Sequence, residues 1–344
     1  STTPSTTSMP KPQPSLWPVH RSHVVIGVAV NYGMNEFRRF VGTLRATGYI
    51  GSIVLGVGSD LSNECAKYLE RHHVEMRVVK HGALTPAAQE EDGMHSGFYS
   101  VALPRWELYR KWITEEQYTD METTFFLTDT RDVYFQRDPF VDLKHFGNRH
   151  DLYLFEEWGN KTVGSCVYNS DWIQSCWGQE MLNSMLDHPI LCSGTILGNR
   201  KGIIRLVDAL VSEAEHVKTF PHEVHGKAKH GRPCVNDQAY VNVLMRRVTS
   251  NKLLVEKAHI FKQGDGPVNT IGWLSVSGIE RDDEGFVLNN DGRRSAVVHQ
   301  YDRDLELQAW LDARFVHVLD PVHTKWNAGE TYSQTVHKIL VERN

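Results

Sequence analysis

No stretch of this chain approaches the ~20 consecutive apolar residues that a membrane-spanning helix requires, and its N-terminus lacks the basic and apolar regions of a secretion signal. No membrane segment is therefore expected within it. The five cysteines (Cys65, Cys166, Cys176, Cys192 and Cys234) form no CxxC pair and no zinc-ligand spacing, so a structural zinc site has little support. Their odd number leaves at least one thiol free; bridges among Cys166, Cys176 and Cys192 suit an oxidising lumen, with buried free thiols as the alternative. An excess of positive charge is missing too. The formal net charge is −5, and no arginine-lysine run supplies a phosphate-tracking stripe, so nucleic acid is not an expected partner. No internal repeat is visible.

At 40% hydrophobic and 23% charged residues, the 344-residue chain has enough apolar material for a substantial core. Length alone permits two domains, but α/β enzymes often spend this much chain on one sheet with insertions, and a single domain with C-terminal decorations is the expected arrangement. The boundaries read as a disordered stem or linker over 1–20, because Ser1 to Ser15 is a Ser/Thr/Pro-rich tract unable to bury apolar surface, a folded domain over 21–320, and a C-terminal extension over 321–344. The sequon Asn160-Lys161-Thr162 and the stem-like start fit a secretory location, with tethering through a preceding segment; a cytoplasmic location is the alternative.

The apolar, β-branched run Val24 to Val30 has the length of a fully buried strand and ends in the turn-like Asn31-Tyr32-Gly33. Phe37, Phe40, Val41 and Leu44 recur at helical spacing, Ser52 to Val57 returns to strand character, and Cys65, Ala66 and Leu69 mark a second helix before Met76 to Val79. This alternation predicts a mostly parallel sheet with helices on both faces, whose ligands gather beyond the carboxyl ends of the strands. A loop from His81 to Gly97 leads to a helix from Pro104 to Ile113. Later strands are expected over Asp151 to Phe155, Ile190 to Leu197 and Ala296 to His299, with helices over Ile203 to Ala214 and near Leu305 to Leu311.

Between Phe125-Phe126-Leu127 and Val133-Tyr134-Phe135 lie two acids, Asp129 and Asp132, in the order Asp-Thr-Arg-Asp, and Asp138-Pro139-Phe140 closes the unit. Carboxylates three positions apart at the end of a buried strand cost desolvation energy and repel each other unless a cation or protons compensate. A divalent ion meets both demands, and Mg²⁺ or Mn²⁺ keeps positions open for substrate phosphates. The plain alternative has Asp129 capping a turn and Asp132 pairing with Arg131 or Arg137.

The segment FFLTDTRDVYFQRDPF resembles the metal-binding strand of GT-A glycosyltransferases, whose hallmark is a DxD motif after an apolar strand. It departs from that motif as well: aligned on DPF, Asp132 falls on the second acid, and Asp129 lies one residue too far upstream. Either Asp129 reaches the metal through a bulge, or it binds donor hydroxyls and Asp132 alone binds the ion. The resemblance implies a GT-A fold, a Mn²⁺ or Mg²⁺ cofactor, a nucleotide-sugar donor of the UDP- or GDP-sugar kind, and a glycan or glycoprotein acceptor. It implies that Asn31, Tyr32 and Gly33 hold the base and ribose, and that Ser193 and Gly194, in a Cys-Ser-Gly-Thr segment, let backbone approach the donor sugar. Val235-Asn236-Asp237-Gln238 is similar to the DQ helix start of glycogenin-like transferases, which makes Asp237 and Gln238 catalytic candidates, although helix capping alone explains Asn236 or Asp237. In those transferases a histidine at the end of a late strand completes the metal site, which points to His299. Arg105 is a candidate for neutralising donor phosphate, Glu157 beside Glu156 for a second catalytic acid, and Trp158, Trp172 and Trp177 for stacking on an acceptor ring, against the commoner solvated or core roles. The expected activity is metal-dependent sugar transfer. Competing readings are a non-catalytic binder of the same fold and a haloacid-dehalogenase-like phosphatase, whose aspartate motif normally lies on the first strand. A pyrophosphorylase would need a Gly-rich basic loop after strand one, which Asn31 to Asn35 is not.

Overall fold

A computed structural model describes residues 20–79, 102–121, 123–143, 150–158, 160–219, 236–247, 257–274 and 278–316. The loop expected over His81 to Gly97, the extension over 321–344 and all but the last residue of the stem lie outside the described residues. The fold is α/β, as the alternating pattern predicts. Its main sheet has seven strands in the order β3-β2-β1-β4-β7-β6-β8: β1 (His20–Ala29), β2 (Gly51–Gly58), β3 (Val74–Val79), β4 (Thr124–Thr128), β6 (Leu152–Glu156), β7 (Leu191–Asn199) and β8 (Ala258–Phe261). All pairs are parallel except those made by β7, which runs against both β4 and β6. A second sheet pairs β5 (Val133–Phe135), β10 (Val297–His299) and β9 (Val268–Thr270). The apolar runs on either side of the acids therefore belong to different sheets, and the chain changes sheets within Asp129 to Asp132.

The two-residue period of β1 divides the core. Val24, Ile26 and Val28 pack with Trp106 and Tyr109 of α3 (Pro104–Ile113), Leu206 and Leu210 of α5 (Arg200–Thr219), and Tyr240 of α6 (Asp237–Arg246). Val25 and Ala29 face the other way, toward Phe37, Phe40 and Leu44 of α1 (Met34–Phe37, Arg38–Gly42 and Thr43–Ala46, its middle turn a π-helix), Leu69 of α2 (Asn63–Arg71), and Val133, Phe135 and Val297 of the small sheet. Helices thus cover both faces, which is what makes the central strands apolar throughout. The opposite face of the small sheet, with Tyr134 and Val298, packs on Leu307 and Leu311 of α7 (Leu305–Leu311). Arg39 ties this layer to α1 through a two-pronged contact with Asp312, at 2.6 and 2.7 Å.

Helix α4 (Val167–Asn183) carries Trp172 and Trp177, and Gly178 breaks it with φ 83°. Of the two readings of Cys166, Cys176 and Cys192, the bridges among them do not form. Cys166 and Cys192 are buried free thiols, while Cys176 is disulfide-bonded. Spacing in sequence carries no information on which Cβ atoms meet in space, and only Cβ proximity allows a bridge. Among the described residues no helix is long and apolar enough to cross a membrane.

Gly27, in the centre of β1, sits directly under the acidic turn: a Cβ there would lie 2.3 Å from Thr130 Cγ2 and 3.0 Å from the Thr128 carbonyl oxygen. Gly27→Ala should lower stability by about 1–3 kcal/mol through overpacking and loosen the Asp129–Asp132 turn. A drop in melting temperature together with weakened Mn²⁺ binding is the expected result; an unchanged melting temperature would contradict the tight packing.

Candidate metal centre

Strand register assembles the site. Thr128, the last residue of β4, pairs with Thr195 of β7, and the next N–H, from Asp129, donates to the Gly194 carbonyl at 2.6 Å. The chain then bends. Thr130 turns inward, its hydroxyl donating to the Val28 carbonyl at 2.7 Å, while Arg131 points outward to Asp302 at 3.1 Å. Asp132 immediately precedes Val133, the antiparallel partner of His299, so the register of the small sheet sets the imidazole beside the second acid. The Gln300 N–H, in a left-handed residue with φ 61°, donates to the Asp132 carbonyl at 2.7 Å and locks the arrangement.

His299 Nε2 lies 3.5 Å from Asp129 Oδ2 and 3.7 Å from Asp132 Oδ2, and one ligand atom from each of the three residues falls within 4.8 Å of the others. The other ring nitrogen is engaged: Nδ1 meets the Thr270 hydroxyl at 3.3 Å and the Cys192 sulfur at 3.5 Å. Nε2 is fully buried and has no hydrogen-bond partner. An imidazole anchored at one nitrogen, with the other aimed between two carboxylates, has the layout of a metal-ligating histidine. Oxygen and imidazole donors suit Mn²⁺, and space is reserved for an ion: a Cβ on Gly194 would come within 2.4 Å of Asp129 Oδ2 and 2.7 Å of His299 Cε1. The residues present fit a divalent cation. Both acids face this point, so the extra residue in Asp-Thr-Arg-Asp is absorbed by the bend at Thr130 and Arg131. The surface-pair alternative fails for Asp132, which is 7% exposed, while Arg131 and Arg137 pair with Asp302 and Asp142.

Electrostatics agree with a charge-hungry site. Burial, reinforced by Asp129 and opposed by His299, pushes the Asp132 carboxyl up to about 6. Burial would raise Asp129 as well, but Arg105 and then His299 hold it well below the usual carboxylate range. Burial alone would lower His299, yet Cys192, Asp132 and Asp129 outweigh it and favour the cation.

Arg105 is the hub of a second layer. Although helical arginines are commonly solvated, this one is 9% exposed and contacts Asp129 Oδ1, the Ser193 carbonyl at 3.3 Å, and Asp237 Oδ2 at 2.9 and 2.5 Å. Asp237 also accepts from the Trp106 indole at 3.0 Å and the Ser193 hydroxyl at 2.9 Å. Asn236 caps α6, accepting from the Gln238 N–H at 3.0 Å, which leaves the Asp237 side chain to this network. Gln238 turns elsewhere, donating to Asn169 of α4 at 3.2 Å.

Glu157 follows β6, which runs parallel to β4, so its carboxylate reaches the same rim. It accepts from the Trp273 indole at 3.1 Å and from the Gln300 amide at 3.2 Å. Asn31, Tyr32 and Gly33 lie at the end of β1, next to β4; Asn31 is left-handed with φ 63°, Tyr32 lies beside Thr130, and the Gly33 N–H closes the first turn of α1 on Glu36 at 3.0 Å. The tryptophans diverge: Trp177 donates to Glu213 at 2.7 Å and packs on Tyr240, and Trp172 stands 6.1 Å from Tyr168. Cys192, Thr270, Trp106, Trp273 and Gln300 carry no local motif. Each works by supporting a neighbour, and only the register makes those neighbours known.

Because the ion must displace protons from Asp132 and His299, Mn²⁺ binding should release protons, and affinity should rise with pH through about 6, where Asp132 ionises, and go on rising above it, because the His299 pKa is raised as well. Titration calorimetry in buffers of different ionisation heat measures this; pH-independent binding would contradict it. Gly194→Ala should abolish Mn²⁺ binding with the fold retained, because its methyl occupies the space between two ligands.

No protein-family model matches the sequence, and no curated protein matches it. Among solved structures, the galactosyltransferase LgtC in complex with donor and acceptor sugar analogs matches with a TM-score of 0.50 at 13% sequence identity, over 89% of this chain and 98% of that one. Similarity at this level concerns the backbone, and it agrees with the sheet order and the strand-end acids described above: the chain has the GT-A fold.

Proposed function

We propose that this protein is a metal-dependent glycosyltransferase that moves a sugar from a nucleotide-diphosphate sugar, of the UDP- or GDP-sugar kind, to a hydroxyl on a glycan or glycoprotein. The observation that carries the reading is the buried His299 Nε2 aimed between Asp129 and Asp132 at the carboxyl-end rim of a GT-A sheet. Asp129, Asp132 and His299 would hold Mn²⁺ or Mg²⁺, which when bound draws off negative charge from a departing diphosphate.

The remaining residues take roles set by their partners. Arg105 holds Asp129 in place and links it to Asp237, so metal ligand and sugar-facing acid move as one unit. Asp237, held by the side chains of Arg105, Trp106 and Ser193, orients the Ser193 hydroxyl and the backbone at Gly194, where a donor sugar can approach closely. Glu157 meets only neutral N–H groups, which leaves it as the carboxylate able to take an acceptor proton. Asn31 to Gly33, at the end of β1 beside the acids, offers a turn for the nucleoside, and Gln238 on the side toward α4 flanks the sugar site. The exposed sequon residue Asn160 and the bonded Cys176 favour a secretory, Golgi-like setting.

Asp132→Asn should reduce Mn²⁺-dependent hydrolysis or transfer of a nucleotide sugar by more than about a hundredfold, with the melting temperature retained, since it removes a ligand that acts on the leaving group. Thermal-shift assays with UDP and GDP, each with and without Mn²⁺, identify the nucleotide through ligand-linked stabilisation. Wild-type turnover in Asp132→Asn, or equal stabilisation with and without the ion, would reject the proposal.

A further inference from the structure

Beyond the metal residues, the same rim carries a second group of charges with no assigned work. Trp273 lies three residues past β9, whose last residue, Thr270, pairs with His299, so its indole stands beyond the strand ends that form the metal centre. Lys161 Nζ sits 3.7 Å from the Trp273 ring centroid, and the Arg303 guanidinium carbon lies 5.7 Å from it. Neither cation has a carboxylate partner among the described residues, whereas the neighbouring Arg131 pairs with Asp302 and Arg281 with Asp304. Lys161 is half-buried, and Arg303 is exposed.

The group is wired to the reaction site. The Trp273 indole N–H donates to Glu157 Oε2 at 3.1 Å, and Glu157 Oε1 accepts from the Gln300 amide at 3.2 Å, one residue past His299. A carboxylate only accepts, so this contact fixes the amide with its nitrogen toward Glu157. The half-buried indole packs partly on the cluster of Val163 and Ile190 and carries Lys161 over its ring, so a saccharide set against its exposed part would meet Lys161 and lie beside the carboxylate proposed to take the acceptor proton. Both cations lie over the indole and neither is neutralised by a carboxylate among the described residues, so this surface joins unpaired positive charge to an aromatic ring.

We propose that Lys161, Trp273 and Arg303 form an acceptor subsite for a saccharide that carries an anionic group, a carboxylate or a phosphate. The inference rests on the glycosyltransferase reading for its placement, since it makes the subsite adjacent to the transferred sugar. Trp273 supplies the apolar platform, Arg303 a two-pronged contact to the anion, and Lys161 a point charge that narrows the choice to acidic sugars.

The test uses the full chain with Mn²⁺ and either UDP or GDP present, and measures saturation-transfer NMR binding of methyl glucuronide, methyl galacturonide, glucose 6-phosphate and the neutral methyl glucoside. At least one anionic probe should bind and the neutral one should not; whether uronides or the phosphate ester bind identifies the anion. Lys161→Gln and Arg303→Gln should each weaken that binding about tenfold, the size of one charge-assisted hydrogen bond, while Mn²⁺-nucleotide binding and melting temperature stay at the native value. Equal binding of the neutral glucoside overturns the proposal. So does a loss of nucleotide binding in either variant, which would assign these cations to the donor. If the native chain binds no Mn²⁺-nucleotide yet still binds an anionic saccharide through Lys161 and Arg303, the transferase reading fails and the subsite stands.

Discussion

Two carboxylates and an imidazole are pressed together where the chain leaves one sheet for another, and much of the rim is arranged around that convergence. Unit charges spanning 4.8 Å interact by roughly 3 kcal/mol at an effective dielectric near 20, and burying each ion adds a desolvation cost of several kcal/mol. A protein does not keep such a cluster for stability. Arg105 offsets part of the cost at Asp129, and Asp132 and His299 take up the rest by shifting their protonation. A divalent cation removes the conflict, because it needs both acids ionised and the imidazole neutral.

The fold supplies the precision this requires. Four contacts fix the three groups: the Asp129 N–H on Gly194, the Thr130 hydroxyl on Val28, the Gln300 N–H on Asp132 and Thr270 on the far side of His299. Gly194, Val28 and Thr270 lie on three different strands and Gln300 directly follows a fourth, so sheet register holds the bend that carries the acids. The same rim brings the ends of β1, β6 and β9 alongside. Asn31, Glu157 and Trp273 are consequently neighbours of a centre they are far from in sequence.

Much of this was legible before the structure. Val24 to Val30 reads as a buried strand because both its faces are covered, and Pro104 to Ile113 reads as a helix because proline suits its first turn. The Asp-Thr-Arg-Asp turn is recognisable from its apolar flanks. What could not be read was pairing. Nothing local says that Val133-Tyr134-Phe135 leaves the main sheet, that β7 runs antiparallel, or that Arg105 is buried between Asp129 and Asp237. The cysteines show the limit most plainly: Cys192 works as a neighbour of His299 and forms no bridge, and spacing alone gives no sign of it.

The central claim is that a cation is held between Asp129, Asp132 and His299 and presented to a diphosphate. The most direct test is a crystal structure grown with Mn²⁺ and the nucleoside diphosphate that gives the larger thermal shift, with anomalous scattering locating the manganese. The account predicts one ion in contact with both carboxylates and His299 Nε2, with diphosphate oxygens on its open side. Manganese bound elsewhere, or a diphosphate seated at the rim with no ion at these three residues, would contradict it.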